Sequence, residues 1–267
     1  MARRWTIEEE REKRGELIEF YVNQNKTIAE IGKILGIAEG GVFDRMKRLN
    51  IPTTPEKKLH YLNRKWSNIN FPDFSNKLAE FFGIVLGDGH LSLGQVWIYI
   101  NNNTDRNYNP YVKELIKSLF SVKPGVSYRK DQDMMNLFLS SVDLLKFLRK
   151  RGLFASNKVR DQVDVPSWIF TKDSYKKSFL RGFFDTDGSV YKLRFGVQMG
   201  FCNRSIPLLR STRKILLDLE YHPSNVSIYK VYLTRKPDLY RYAKEIGFGN
   251  PKHLERAKNL VLSIRGV

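Results

Sequence analysis

The feature that most constrains the fold is an internal repeat in the second part of the chain. The segment KLAEFFGIVLGDGHL, which begins at residue 77, has a counterpart in KSFLRGFFDTDGSV, which begins at residue 177. Each segment is largely apolar and contains an aspartate followed by glycine, at Asp88 and Asp187. Two similar halves of about one hundred residues would each leave an apolar surface uncovered, so we expect them to pack on one another.

The same order of elements follows each copy. Alternating or periodic apolar residues predict strands at 95–102 and 135–141 and helices at 110–120 and 142–153 in the first half, matched by strands at 194–203 and 226–234 and helices at 207–219 and 237–248 in the second. Gly152 and Gly247 predict helix ends in the left-handed conformation. Each half therefore reads helix–strand–strand–helix–strand–strand–helix, an α+β fold whose sheets have one free face.

Small residues form a stripe along both repeated helices. They are Ala79, Gly83 and Gly87 in the first helix, and Gly182 and Thr186 in the second. Such stripes allow two helix backbones to approach closely. Contact along the stripe would place Asp88 and Asp187 side by side at the helix ends.

Two neighbouring carboxylates at helix C-termini repel each other and the helix dipole, so a proton or a cation must offset their charge. Oxygen ligands favour Mg²⁺ over zinc, with the carbonyls of Gly87 and Thr186 as further ligands; we expect Mn²⁺ or Ca²⁺ to substitute for binding. Such a site could activate water and stabilise the leaving group of a phosphodiester. One Asp-Gly pair alone is more typical of a turn than of a metal site, but two at matched places favour the metal site.

The charge of the chain points to a polyanionic partner. There are 46 Lys and Arg residues against 28 Asp and Glu, a formal net charge of +18. Nucleic acid is the first expectation, and a membrane surface is disfavoured because the basic residues are spread over several elements. The single cysteine, Cys202, excludes an intramolecular disulfide, and the charged N-terminal segment is not a secretory signal. We expect an intracellular protein, in a prokaryotic cytoplasm or an organelle.

The segments FFGIVLGDG (81–89) and LRGFFDTDG (180–188) resemble the two copies of the LAGLIDADG motif of homing endonucleases. The second copy is a close match, whereas Leu86 in the first stands where an acidic residue is frequent. The resemblance implies a monomer with two pseudo-symmetric αββαββα halves whose saddle-shaped antiparallel sheets hold double-stranded DNA. It also implies that Asp88 and Asp187 bind the metal ions for a staggered double-strand cut in a long target, and that the gene is encoded in an intron or is free-standing.

The resemblance further implies polar and basic catalytic residues at strand ends. The candidates are Asn101 or Asn102 in the first half, Asn203 with Arg204 in the second, and the basic pair Arg235 or Lys236, whose first-half counterpart would be Ser140 or Ser141. An ordinary polar residue at a strand end is the alternative for each of them.

On the free sheet faces, amide, basic and aromatic side chains suit contacts with base edges and phosphates. The candidates are Gln95, Trp97, Tyr99, Arg129 and Lys130 in the first half, and Lys192, Arg194, Gln198, Tyr229 and Lys230 in the second. The alternation leaves open which side of each strand faces DNA.

The N-terminal segment predicts a second DNA-binding element. Residues 27–51 resemble a helix-turn-helix with its turn at Gly36, and its second helix carries Arg45, Lys47 and Arg48. A three-helix bundle with a polar face is the alternative. The following segment is basic and without periodicity, so Lys57, Lys58, Arg64 and Lys65 could follow a phosphate backbone, or the segment could be a solvated connector.

Together these features predict a small all-α helix-turn-helix domain at 1–52, a basic linker at 53–76 and two LAGLIDADG halves at 77–165 and 166–267. The predicted function is a Mg²⁺-dependent, site-specific DNA endonuclease without an obligatory protein partner. The alternative is a non-cleaving relative, an intron maturase or a transcription regulator, that binds DNA or RNA.

Overall fold

The computed structural model describes residues 5–24, 26–49, 51, 69–92, 94–129, 133–154 and 161–262. Contacts divide the chain into two compact units, Met1–Tyr61 and Leu62–Val267. The four predicted linker cations Lys57, Lys58, Arg64 and Lys65, and the loop residue Lys130, lie outside the described residues. The proposed domain boundaries remain predictions.

The N-terminal unit contains three helices, α1 (Ile7–Ile18, continued by a π-helical turn to Asn23), α2 (Ile28–Leu35) and α3 (Glu39–Arg48). Capping boxes start α1 and α2, in each case a threonine paired with a glutamate three residues later. Gly36 ends α2 with φ +64°, as the predicted turn requires. The small core is made of Leu17, Tyr21, Ile31, Val42, Met46 and Ile51.

The first half of the larger unit starts with the motif helix and forms a four-stranded sheet. Its elements are α4 (Asn76–Asp88), β1 (Gly89–Ser92), β2 (Gln95–Asn101), a 3₁₀ turn (Arg106–Tyr108), α5 (Asn109–Phe120), β3 (Gly125–Arg129), β4 (Met134–Ser140) and α6 (Val142–Lys150). The strands are antiparallel in the order β1-β2-β4-β3.

The second half repeats this plan with a smaller sheet. After a 3₁₀ turn (Ser167–Thr171) it contains α7 (Asp173–Asp187), β5 (Gly188–Leu193), β6 (Gly196–Cys202), α8 (Ile206–Asp218), β7 (Lys230–Leu233), α9 (Lys236–Arg241, continued by a π-helical turn to Ile246) and α10 (Pro251–Ala257, continued similarly to Leu262). The order β5-β6-β7 is again antiparallel.

The predicted α+β class with two antiparallel sheets is confirmed, but the prediction of four strands in the second half is wrong. All of residues 161–262 are described, and they form three strands. The chain reverses at Ile228 and Tyr229, which both have positive φ (44° and 61°). The arm before this turn contacts β7 through one bridge, Ser227 to Lys230, and a 2.8 Å bond from the Ser224 N–H to the Tyr232 carbonyl, too little to form a strand.

A single apolar core joins the two halves. Its centre consists of side chains from both motif helices, all fully buried, among them Phe81, Phe82, Ile84, Val85, Leu86, Phe179, Leu180, Phe183 and Phe184. Burial of one such side chain contributes about 1.5–3 kcal/mol. Gly152 and Gly247 both have positive φ (91° and 68°), but the ψ of Gly247, −162°, lies outside the left-handed helical region that the sequence predicted.

Candidate active site and nucleic-acid interface

The motif helices α4 and α7 pack backbone against backbone. A Cβ atom added to Gly83 would lie 2.7 Å from the Phe183 nitrogen, and one added to Gly182 would overlap the Glu80 carbonyl oxygen. Such distances exclude any side chain at these positions. The small-residue stripe read from the sequence is therefore the contact surface between the two halves.

The C-terminal ends of the two helices meet as well. A Cβ atom on Gly87 would overlap the Thr186 hydroxyl and lie 3.5 Å from the carboxyl carbon of Asp187. The carboxyl group of Asp187 thus lies beside the backbone of the residue that precedes Asp88. Both aspartates are half-buried and each ends its helix, directly before a strand.

Further carboxylates, Glu80 and Asp185, are buried behind the helix ends. Burial, followed by the charges of Asp185, Glu80 and Asp88 among others, raises the pKa of the Tyr108 phenol well above its ordinary value. Glu80 lies two turns before Asp88 and accepts from the Arg181 guanidinium, so the negative charge at the helix ends is that of Asp88 and Asp187, which a bound cation would offset.

Asn203, just beyond β6, contacts the second aspartate directly. Its amide nitrogen donates to Asp187 Oδ2 over 2.6 Å, and its Oδ1 accepts from the Ser205 N–H at 2.8 Å. Asn101 is arranged differently, because its Oδ1 accepts from the N–H groups of Asn103 and Thr104, both at 2.9 Å, and stabilises a turn.

Backbone hydrogen bonds show that Asn102 is the counterpart of Asn203. The Asn102 N–H donates to the Asp133 carbonyl over 2.9 Å, and the Asn203 N–H donates to the Tyr229 carbonyl over 3.0 Å. The side chain of Asn102, however, donates to Asp133 Oδ1 at 3.3 Å. The matched asparagines thus have different partners.

Strand register explains this difference. In the first hairpin Gly89 pairs with Ile98, four residues before Asn102, whereas in the second Gly188 pairs with Phe201, two residues before Asn203. The glycine after the second motif therefore pairs two residues closer to its asparagine than the glycine after the first motif does. At about 3.3 Å per residue, Asn203 is brought close to its aspartate while Asn102 is held farther away.

Register also bears on the predicted basic residue. Gly188 on β5 pairs with Phe201 on β6, which in turn pairs with Val231 on β7. The neighbouring pair on the side of Asp187 is Cys202 with Lys230. Lys230, which the sequence analysis placed among the DNA contacts, is exposed at this end of the sheet.

Arg235 and Lys236 lie at the other end of β7. Arg235 is five residues beyond Lys230 and is the N-cap of α9, so an extended chain separates the two by about 16 Å. This position argues against the predicted catalytic role of the pair. Their proposed counterparts are used structurally, since Ser140 accepts a 2.8 Å bond from Gln95 and Ser141 caps α6.

The donor set at the helix ends suits a hard cation. It consists of the carboxylates of Asp88 and Asp187 and the carbonyls of Gly87 and Thr186; the Thr186 hydroxyl donates back to its own helix, to the carbonyls of Gly182 and Phe183. Because Gly87 has no side chain, the Thr186 hydroxyl occupies the space beside it and the two helix ends can meet. No group of three or more His, Cys, Asp or Glu side chains within the described residues is arranged to hold a metal.

The first sheet shows which side of β2 is free. Val96, Ile98 and Ile100 are buried, whereas the alternating residues between and beside them are half-exposed. Gln95, Trp97 and Tyr99 therefore share the free face, where Trp97 packs against Phe138 at 4.9 Å between ring centroids. Sequence reasoning omitted His90, which pairs with Trp97 on this face, although strand alternation could have identified it.

The second sheet presents a smaller free face. Tyr191 and Gln198 pair there, joined by a 2.5 Å hydrogen bond from the tyrosine hydroxyl to Gln198 Oε1. Lys192 has the opposite parity, since it pairs with Val197, and Arg194 lies in the hairpin turn over the Phe195 ring. Tyr232, which pairs with Gly200 on the free face, was not among the predicted contacts, although it shares the strand parity of Lys230.

The predicted cations of the N-terminal unit differ in their surroundings. Arg45 is only 7% exposed, lies 4.4 Å over the Trp5 ring and donates to the Gly41 carbonyl, so its burial argues against the predicted DNA contact. Arg48 is exposed and forms an ion pair with Glu10, and Lys47 is exposed. In the larger unit, Arg129 lies in β3.

Sequence reasoning missed a buried polar network behind the site. Glu80, 1% exposed, accepts from the Tyr111 hydroxyl and the Arg181 guanidinium. Asp185, 2% exposed, accepts from the Gly249 N–H at 2.8 Å, and burial raises its pKa to about 7. The first of the two aspartates in LRGFFDTDG could have pointed to this network, but only the fold shows that Asp185 faces inward.

Comparison with known proteins supports the LAGLIDADG resemblance. Residues 174–247 match the family described as the LAGLIDADG-like domain. The N-terminal LAGLIDADG domain of DUF199/WhiA superposes with a TM-score of 0.50 at 19% identity, over 76% of this chain and 96% of that one. The crystal structure of I-DmoI in complex with DNA and Ca has a TM-score of 0.48 at 18% identity, over 69% and 97%. The predicted resemblance is confirmed.

Sequence relatives are distant, and for two of them most of their length has no counterpart in this chain. The replication factor C small subunit of Methanocaldococcus jannaschii is 25% identical over 72% of this chain, and that of Thermococcus kodakarensis is 25% identical over 69%. The chain covers only 10% and 21% of these two proteins. An uncharacterized M. jannaschii protein, MJ0398, is 25% identical over 76% of this chain and 78% of its own length. No helix within the described residues is long and apolar enough to cross a membrane.

Proposed function

We propose that this protein is a divalent-metal-dependent endonuclease that cuts both strands of a long DNA target. The observation that carries the proposal is the meeting of the two motif helices, where the Asp187 carboxyl group lies next to the residue preceding Asp88. Packing that excludes side chains determines this juxtaposition, and the LAGLIDADG fold supports it. The net charge of +18 favours a phosphodiester polyanion as the substrate.

In this proposal the carboxylates of Asp88 and Asp187, with the carbonyls of Gly87 and Thr186, would hold Mg²⁺. Bound Mg²⁺ would supply Lewis-acid stabilisation of the attacking and leaving oxygens. Asn203 holds one oxygen of Asp187 by a 2.6 Å hydrogen bond and so orients the carboxylate. The free faces of the two sheets bind the duplex, and Lys230 offsets phosphate charge near Asp187.

The proposal is tested with Mg²⁺, the protein and a plasmid library of random inserts, followed by sequencing of the cut ends. We expect one family of related sites with a constant stagger. The variants Asp88→Asn and Asp187→Asn should lose cleavage and still shift the selected DNA in a gel. Glu114→Gln, an exposed acid on α5, is the matched control and should cut normally.

Two outcomes would contradict the proposal in different ways. Tight binding without any cut ends would leave the non-cleaving alternative, a binder of DNA or RNA. Binding that hardly changes between low and high salt would contradict phosphate recognition altogether, because each neutralised phosphate steepens the salt dependence.

A further inference from the structure

The turn between the last two arms of the second half exposes an aliphatic side chain. Ile228 is 86% exposed, and its neighbour Tyr229 is 47% exposed. An isolated exposed aliphatic residue is common on protein surfaces. This one is unusual because of its backbone, its position and the charges around it.

The backbone of the turn is unfavourable for the residues that form it. Ile228 and Tyr229 have φ of 44° and 61°, as in the type I′ turns that normally contain Asn and Gly. A β-branched residue in this region is a conformational outlier, and such outliers cluster at functional sites. Stability alone would therefore favour a different residue at position 228.

The turn is held firmly, next to the acidic centre. Ser227 and Lys230 exchange backbone hydrogen bonds of 3.0 Å in both directions. The Tyr229 carbonyl accepts from the N–H of Asn203, whose side chain donates to Asp187. Ile228 is thus connected to a proposed metal ligand through two hydrogen-bonded residues.

Basic side chains surround the tip. A cleft of about 520 Å³ lies beside it, and its lining consists of Ile206, Arg210, Arg213, Asn225, Val226 and Ile228. Exposed Lys230, the first residue after the turn, adds a further cation. An apolar tip between cations matches a nucleic-acid duplex, whose stacked bases are apolar and whose flanking phosphates are anionic.

We propose that Ile228 is a wedge that enters the minor groove beside the scissile phosphate at Asp187 and partly unstacks one base step, while Arg210 and Lys230 hold the flanking phosphates. This inference rests on the proposed DNA binding and adds a deformation step to it. The segment between β3 and β4 of the first half has the polar sequence Lys130-Asp131-Gln132-Asp133, so the wedge belongs to one half only.

Unwinding of closed-circular plasmid tests the wedge without knowledge of the target. A metal-independent type I topoisomerase relaxes the plasmid in EDTA with and without the bound protein, and a gel then gives the change in linking number per bound protein. The wild type should unwind the DNA, because unstacking by an inserted side chain untwists it. Ile228→Asn should lose most of this unwinding, with affinity in a gel shift changed by less than about threefold since phosphate contacts dominate affinity.

Two further variants separate the wedge from a structural role. Asn tolerates positive φ, so Ile228→Asn should raise the melting temperature while it lowers unwinding, whereas a residue needed for folding would lower the melting temperature. Ile228→Val should retain most of the unwinding. Leu217→Ala, which truncates an exposed aliphatic residue of α8, is the matched control and should unwind like the wild type.

The inference is overturned if the wild type binds plasmid without changing its linking number, or if Ile228→Asn unwinds as much as the wild type. Either result leaves the proposed endonuclease intact. Failure of the wild type to bind plasmid at all would instead overturn both proposals.

Discussion

The two halves of the larger unit have nearly identical helix contacts and clearly different sheets. The motif helices lie backbone to backbone, and the glycines on both sides leave no room for a side chain. The sheets differ in strand number, four against three, and in the register of the motif relative to the strand-end asparagine. Close backbone contact tolerates no change, whereas a half-exposed sheet can lose a strand or shift by two residues and keep its buried face.

The difference makes the two aspartates chemically unequal. Asp187 accepts a 2.6 Å hydrogen bond from Asn203, and Lys230 lies at the same end of the sheet. In the first half the position of Asn203 is held by Asn102, whose side chain donates to Asp133 instead. The position of Lys230 is held by the uncharged Met134. Behind them, Asp185 corresponds in the motif to the apolar Leu86. We therefore expect the two centres to respond differently to equivalent substitutions.

The largest effect is expected where the halves are alike. Gly182→Ala should destabilise the fold by about 3 kcal/mol or more, because the added methyl group overlaps the Glu80 carbonyl. Gly83→Ala should cost a similar amount. Urea unfolding measures both, with Gly40→Ala as the control: no atom lies within 4 Å of that added methyl group, so helix propensity should make it neutral or slightly stabilising. Unequal losses at Gly83 and Gly182 would contradict a symmetric helix contact.

The next effect comes from Asp185, whose counterpart Leu86 cannot titrate. Burial raises its pKa from 3.8 to about 7 in the folded state. Between these values the unfolded chain has released the proton that the folded chain retains, so stability falls as pH rises, on the order of 1 kcal/mol per pH unit. Asp185→Asn should remove this term and gain stability relative to the wild type from about pH 4 to about pH 7, and nothing further above it.

Paired unfolding curves isolate this term. Burial lowers the pKa of His253 to about 4, so this histidine changes stability in the opposite direction over the same pH range. Because His253 is present in both the wild type and Asp185→Asn, its contribution largely cancels when the two unfolding free energies are subtracted. A difference between wild type and Asp185→Asn that stays constant from pH 4 to pH 7 would show that Asp185 is ionised throughout.

The asparagines test the unequal centres directly. Asn203→Ala should slow cleavage of one strand by about 10–100-fold, as is common when a hydrogen-bond partner of a metal ligand is removed. Asn102→Ala should slow cleavage much less, because its side chain donates to Asp133. Supercoiled plasmid carrying the selected site reports this as accumulation of nicked circles with Asn203→Ala. Equal nicking by both variants would refute the asymmetry.

The smallest effect concerns the basic residues of β7. Lys230→Ala should reduce the cleavage rate by about tenfold, because it removes a cation near the row of Asp187. Arg235→Ala, at the far end of the strand, should leave single-turnover cleavage within about twofold and change only salt-dependent binding. A larger loss of cleavage with Arg235→Ala than with Lys230→Ala would support the catalytic role predicted from the sequence for Arg235. It would also indicate that β7 changes its position when DNA binds.

Local pattern was sufficient to predict much of the fold and the central pair of residues. The apolar period, the small-residue stripe and the two Asp-Gly pairs identified α4, α7, Asp88 and Asp187, because each of these signals depends on spacing within a few turns of one helix. The strand-end residues could not be chosen in the same way. Asn101 and Asn102 are neighbours in the chain, and only the hydrogen bond from the Asn102 N–H to Asp133 shows which one matches Asn203.

The sequence by itself determined the repeat, the pairing of the two helices and the excess of positive charge, since composition and short-range spacing carry all three. Tertiary structure alone decided the register of each hairpin, the loss of one strand, the burial of Arg45 and the separation of Arg235 from the acidic centre. These depend on which distant segments pair, and a shift of two residues preserves the alternation of buried and exposed side chains, so the linear pattern is the same before and after it.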